Sequence, residues 1–407
     1  MLIFKDLYKF NFVKIATLNV PKMLKVNPRQ ALVALIRAAG ATGLAPQQLT
    51  ELLPQISRST LNRQLAALAA SGAITARGTG RNTRYISSTP FTRADIDAYF
   101  SIPWQQRPSA PFNEALLAST PTLDADRAQR CTLIQAIAQP IDKRFLASFL
   151  IDWSWGSSVL EGGTYSALDT EALVRYGQRN MSKPVADAVL VLNHKRAAEY
   201  LWANRTLNTQ NVCAMHARLT DDHALEDVLD SDHFLPEHQR GKPREFEDVN
   251  LGASAYMPPF RPGTQYVAKA FAQIIDIASN LHPIQAALYL MTRIPYLQAF
   301  ANGNKRTSRL AGNAPLLNAG LLPFSFSDVD KADYIRGMAA FYELGSMHVI
   351  EQTFIEGYVK SVVRSSNIPA SMRTLGFDVD AVALALVEFV NTGRKPVDPR
   401  ALVFLNA

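Results

Sequence analysis

Cysteine is nearly absent: Cys131 and Cys213 are the only two in 407 residues, far apart and without a CxxC pair. That argues against a disulfide scaffold or a structural zinc site and leaves two reduced, buried thiols in a cytoplasmic protein as the expectation. No run of about 18 apolar residues occurs, so no membrane span is expected. Met1 to Val20 mixes lysines with aromatic and apolar residues, with no unbroken apolar stretch before a small-residue cleavage site. It reads as a loose extension. Internal repeats and low-complexity tracts are missing as well. Strand signals are sparse outside the segment after Gly72 and the one near Val249 to Tyr256, so the chain reads as mainly α.

What is present is length, apolar surface and basic charge. The length suggests two or three domains. With 48% hydrophobic and 19% charged residues, a large core is expected and global disorder is not. A net charge of +7, with a pI near 9.3, permits an acidic partner such as nucleic acid or nucleotide. The position of the arginines is what matters. Patterning divides the chain into an extension (1–26), a compact basic unit (27–88), a Pro-containing connector (89–145), long helical patterns (146–365) and a tail (366–407) with one helix, Val379 to Asn391.

In the basic unit, Gln30 to Ala39 carries Leu32, Leu35 and Ile36 at helical spacing and stops at Gly40. Pro46 to Leu53 is a second short helix. Ser57 is a good N-cap for a third, Arg58 to Ser71, ended by Gly72. A short strand, a turn with Gly78 and Gly80, and a second strand from Arg81 to Ile86 follow. Three helices and a basic hairpin are the layout of a winged helix-turn-helix. Arg58, Asn62, Arg63 and Gln64 would lie on or near the exposed face of the third helix, with Leu61, Leu65 and Leu68 in the core. Such side chains read base edges in the major groove. Arg77, Arg81 and Arg84 in the wing suit phosphate contacts. A protein-interaction or dimer module is the alternative for the same layout. A homodimer is compatible with either, because winged helices often read paired half-sites.

The most informative stretch runs from Tyr296 to Arg309, Y-L-Q-A-F-A-N-G-N-K-R-T-S-R. An apolar helix precedes it and an amphipathic one follows, so Gly303 and Asn304 sit where a loop enters a helix. Unpaired N–H groups and a positive dipole favour a phosphate there. Arg306 and Arg309, three apart, share a face and suit one anion. No glycine precedes the run at Walker spacing. The residues alone describe an anion or nucleotide cradle, or else an arginine pair on a solvated helix start.

This stretch resembles the signature of the Fic family, His-Pro-Phe-x-(Asp/Glu)-Gly-Asn-(Gly/Lys)-Arg-x-x-Arg. Aligned without a gap, Gln298 falls on the histidine, Ala299 on the proline, Phe300 on the phenylalanine and Asn302 on the acid. Gly303, Asn304, Lys305, Arg306 and Arg309 match. The resemblance implies a helical Fic bundle with a small β-hairpin flap, and transfer of AMP from ATP to a hydroxyl on a target protein. In that scheme the histidine is the general base, the acid holds Mg2+, the loop cradles phosphates and the arginines hold the outer phosphates. Ser157, Glu161 and Gly162 resemble the family's inhibitory motif, whose glutamate pairs with the residue matching Arg309. Arg244 to Pro259, with Val249, Gly252 and Tyr256, resembles the flap that docks a target protein by strand addition. Leu192 to Ala197 resembles a helix beside the site, in which His194 reads as structural. The resemblance covers roughly residues 96 to 365.

The departures fall on the chemistry. Glutamine has no titratable nitrogen, so Gln298 cannot act as a general base. Asn302 is a neutral ligand where Mg2+ prefers a carboxylate. The expectation is nucleotide binding, ATP or another, without ordinary AMP transfer, in a DNA-binding regulator. An active transferase braked by Glu161, and a protein-interaction scaffold, are the competing readings. His233 and His238, with Asp232 and Glu237, read as a solvated loop and not a metal site. Trp153 and Trp155 read as core aromatics.

Overall fold

The structure is a computed structural model; it describes residues 28–39, 43–54, 56–77, 80, 83–87, 91–101, 103–107, 110–118, 123–222, 232–249, 251–374 and 376–405. The chain divides into two compact units, one formed by residues 1–110 and 252–256 and the other by 111–251 and 257–407. The 1–26 extension lies outside the described residues.

The first unit holds α1 (Pro28–Ala38), α2 (Pro46–Leu52), α3 (Arg58–Ala70), β1 (Ile74–Arg77), β2 (Arg84–Ser87) and α4 (Arg93–Phe100). Ser57 caps α3 by accepting the Thr60 N–H at 3.3 Å. The 3.6-residue spacing puts Leu61, Leu65 and Leu68 on one face, where all three are buried against Leu35, Leu49 and Ile74. Burying each such side chain contributes roughly 1.5–3 kcal/mol. β1 and β2 pair antiparallel from Ile74 opposite Ser87 to Arg77 opposite Arg84. Leu44 joins them by exchanging backbone bonds with Tyr85 at 3.0 and 2.9 Å. Gly43 before it has φ +59, and a Cβ there would lie 2.5 Å from the Tyr85 carbonyl oxygen, so only glycine fits.

The second unit is helical: α5 (Ala115–Ala118), α6 (Ala125–Leu133), α7 (Lys143–Leu160), α8 (Ala167–Tyr176), α9 (Val185–Ala203), α10 (Thr209–Leu219), α11 (Tyr266–Ser279), α12 (Pro283–Leu297), α13 (Asn304–Ala311), α14 (Asn313–Asn318), α15 (Lys331–Leu344), α16 (His348–Arg364), α17 (Ala370–Thr374), α18 (Val379–Thr392) and α19 (Pro399–Leu402). The protein is mainly α, as its patterning implies. α12 is buried on every side from Ala286 to Leu297 and forms the centre, with α11 and α13 against it. The tail contributes more than one helix, and α18 packs on α16 and α6. No helix among the described residues is long and apolar enough to cross a membrane.

Among the described residues, the expected flap hairpin is not formed. Within 244–259 the strand content is a two-residue piece, β4 (Tyr256–Met257), bonded not to its own return strand but to residues near β3 (Ala110–Pro111): Ala110 donates to Ala255 at 2.9 Å and Phe112 to Met257 at 3.0 Å. Pro258 and Pro259 remove the next two backbone donors, and Gly252 at φ +63 breaks the extended run before it.

Candidate functional site

α12 should not reach Leu297 by propensity, because Pro295 lies in its last turn and has no N–H for the Met291 carbonyl. Ser308 supplies the missing donor: its Oγ bonds that carbonyl at 3.2 Å. The helix ends at Gln298, which takes the left-handed conformation (φ 50, ψ 60). A non-glycine residue there costs about 1–2 kcal/mol. Its own amide offsets the strain, with Nε2 donating to the Pro295 carbonyl at 2.6 Å and Oε1 accepting from Asn304 Nδ2 at 2.9 Å. Asn304 also caps Phe300 from both sides, accepting its N–H and donating to its carbonyl, each at 2.8 Å. Residues 298 to 304 are therefore a closed hairpin of amides. At the position matched to the family's histidine, both ends of the amide are engaged.

Gly303 then caps α13 at φ +73. The N–H groups of Asn304, Lys305 and Arg306 open that helix and have no acceptor inside it. They form the positive end of a buried dipole, the local arrangement expected for an anion site. The Lys305 side chain is 40% exposed, the only exposed cation among Lys305, Arg306 and Arg309.

The two arginines do not converge on one anion. Arg309 donates from Nε and Nη2 to Ser157 Oγ at 3.1 and 2.9 Å, from Nη2 to the Ser157 carbonyl at 3.1 Å, and from Nη1 to the Tyr334 hydroxyl at 3.1 Å. Glu161, at the C-cap of α7, meets Arg309 Nη1 at 2.9 Å and Lys305 Nζ at 3.9 Å. Burial alone would raise the Glu161 pKa, but Arg309, Lys305 and Arg306 hold it well below the usual carboxylate range. Gly162 follows at φ +98, which turns the chain sharply off the helix. Arg306 goes elsewhere: Nη1 donates to the Leu219 carbonyl at 3.0 Å and Nη2 to the His233 carbonyl at 2.7 Å. Burial lowers its pKa to about 10, so it stays charged as an internal strut.

Asn302 is turned onto its own loop. Its Oδ1 accepts the Gly303 N–H and its Nδ2 donates to the Asp232 carbonyl. With that oxygen engaged and Glu161 paired to Arg309, these two described side chains do not offer Mg2+ the free carboxylate oxygen it prefers.

Sequence reasoning passed over several residues that hold this arrangement. Tyr334, on α15, gives no signal in the motif. His216 stacks on Phe300 with ring centroids 3.8 Å apart and bonds the Asn302 carbonyl at 3.0 Å. Arg244 caps the end of α12, donating to the carbonyls of Gln298 at 2.6 Å and Pro259 at 2.6 Å. Burial lowers the His216 and His194 pKa values to about 3 each. His194 Nδ1 sits 2.7 Å from the Leu190 carbonyl, and its Nε2 has no partner among the described residues. Trp153 is buried and donates to the His194 carbonyl at 3.2 Å. His238 is exposed in a 3-10 turn, Glu237–Gln239. No group of three metal-ligating side chains occurs among the described residues.

Of the flap residues, Val249 is half-buried, Gly252 exposed and Tyr256 buried; they do not share one strand. On α3, Arg58, Asn62 and Arg63 are exposed, whereas Gln64 is half-buried with its Oε1 unpartnered among the described residues. Arg84 is half-buried. Arg81 and the side chain of Arg77 lie outside the described residues.

The model of the Fic/DOC family matches residues 206–316. A protein adenylyltransferase Fic from Nematostella vectensis is 24% identical over 195 residues, 47% of this chain and 43% of that protein. The match thus spans less than half the length of this curated relative. Several solved structures are similar. A Fic domain containing signaling protein from Bacteroides thetaiotaomicron is 17% identical, with TM-score 0.44, over 60% of this chain and 100% of that one. A Fic family protein from Desulfovibrio desulfuricans G20 is 18% identical, with TM-score 0.45, over 67% and 89%.

Proposed function

We propose, from the premise that the chain carries a Fic/DOC-family domain over residues 206–316, that it binds the phosphates of a nucleotide such as ATP at the start of α13 without ordinary AMP transfer. The observation that carries this reading is the contrast at the loop. The N–H groups of Asn304, Lys305 and Arg306 have no acceptor within their helix, while the Gln298 amide is engaged at both ends. A glutamine in that state cannot take a proton from an attacking hydroxyl. Glu161 competes for Arg309 and Lys305 and so acts as a brake on binding. No Mg2+ ion held by Asn302 is part of this reading.

The first unit adds a DNA-binding role, supported by a three-helix core, an antiparallel pair and the exposed Arg58, Asn62 and Arg63 on α3. The whole is then a regulator that couples a phosphate ligand to DNA.

The test is calorimetric titration of the full chain with ATP, followed by incubation with radiolabelled ATP. Wild type is expected to bind, Glu161→Gly to bind more tightly, and neither to label itself or added protein. Labelling that rises in Glu161→Gly would instead support an active transferase braked by Glu161. Absence of binding in both proteins would leave the domain as a scaffold.

A further inference from the structure

The last turn of α10 grips the 302–306 segment, where the loop enters α13, at both of its ends. At one end His216, fully buried, stacks on Phe300 and reaches the Asn302 carbonyl. At the other, the Leu219 carbonyl accepts Arg306 Nη1. Between them Thr220 presses so close that a Cβ on Gly303 would lie 2.7 Å from its methyl carbon. A side chain at position 303 would therefore not fit.

The protonation state of His216 is set by its neighbours. Nδ1 accepts the Gly241 N–H at 2.9 Å, so in the neutral ring it carries no proton. The proton sits on Nε2 and is donated to the Asn302 carbonyl at 3.0 Å. That bond fixes the peptide immediately before the Gly303 turn, and the turn sets where the next three N–H groups aim. We infer that His216 is a positioning residue for the phosphate site: as the Nε2–H tautomer, it holds the Asn302 peptide so that the N–H groups of residues 304–306 stay turned to the ligand. This rests on the nucleotide reading above for its ligand and on the geometry alone for its effect on the loop.

Two substitutions separate the two ring nitrogens. Glutamine places an amide N–H near the Nε2 position and retains a donor to Asn302. Asparagine places an oxygen near the Nδ1 position, retains the acceptor for Gly241 and loses the donor. The full chain is compared as wild type, His216→Gln and His216→Asn, by hydrogen exchange over 299–310 and by titration with ATP. His216→Gln is expected within about threefold of wild type. In His216→Asn the loop exchanges about tenfold faster and ATP affinity falls about tenfold, the size of one lost backbone-directed hydrogen bond. Ring 15N shifts of the unsubstituted protein give a reading that needs no variant: the Nε2–H tautomer is expected, and the Nδ1–H tautomer overturns the inference. Equal exchange in the two variants also overturns it, because ring packing would then account for the effect. If ATP binds none of the proteins, the nucleotide reading falls, and loop exchange together with tautomer decides the role of His216.

Discussion

The two regions that carry the candidate functional residues are built in opposite ways. In the first unit a small apolar cluster does the folding, and Arg58, Asn62 and Arg63 stand outside it. Around the motif the candidates are themselves the interior: Gln298, Asn304, Arg306 and Arg309 are all 5% exposed or less and hold one another and their neighbours in place. Under the proposed reading, recognition on α3 is thus a matter of exposed side chains. Under the same reading, recognition at α13 falls to backbone N–H groups and Lys305, because Gln298, Asn304, Arg306 and Arg309 are engaged with protein partners. A change on α3 should alter binding without altering stability; a change at the motif should alter both.

The sharpest way to break that contrast is Arg309→Ala. It strands Glu161, the Ser157 hydroxyl and the Tyr334 hydroxyl in the interior. Removing one partner of a buried charged pair costs about 3–5 kcal/mol, measured here by urea denaturation. A loss below about 1 kcal/mol would show that the site tolerates change as a surface does.

A smaller effect, dependent on pH, is expected for Glu161→Gln. The folded-state pKa of Glu161 is depressed below its ordinary 4.5, so its pairing contributes stability above that value and loses it as pH falls toward the folded pKa. The gap in thermal midpoint between wild type and variant should stay constant from about pH 8 to 5 and narrow below about pH 4. A gap that narrows already near neutral pH would contradict the pairing with Arg309. The smallest change in stability is expected for Arg63→Ala on α3, within about 0.5 kcal/mol of wild type. Its affinity for duplex DNA should nevertheless fall by about 1–3 kcal/mol, read by fluorescence anisotropy. Parallel loss of folding and binding there would erase the difference between the two regions.

Much of the local structure was legible from the chain. Ser57 and the spacing of Leu61, Leu65 and Leu68 mark α3, and the caps and spacing need no distant partner to be read. Gly303 before Asn304 marks the entry to α13, because a left-handed residue before a polar helix start is a local requirement. The motif match also pairs Glu161 with Arg309, and the structure places them 2.9 Å apart. The directions of the arginines were not legible. Three-residue spacing puts Arg306 and Arg309 on one face of α13, yet Arg306 turns to α10 and the 233 loop while Arg309 turns to α7 and α15. A long side chain follows the acceptors available to it, and those come from elements far away in sequence. The pairing of the 244–259 segment was not legible for a related reason: proline and glycine flank its described strand, and residues near 110–112 took the pairing.

The sequence by itself determined that no titratable nitrogen stands at position 298 and that a glycine-led helix start follows a loop of amides. Both are properties of residue type and of short-range backbone geometry. Only the tertiary structure decided which polar groups remain available. Most buried donors and acceptors find a partner, and the choice among Ser157, Tyr334, Leu219, His216 and Arg244 was made by helices that the chain brings together only when folded.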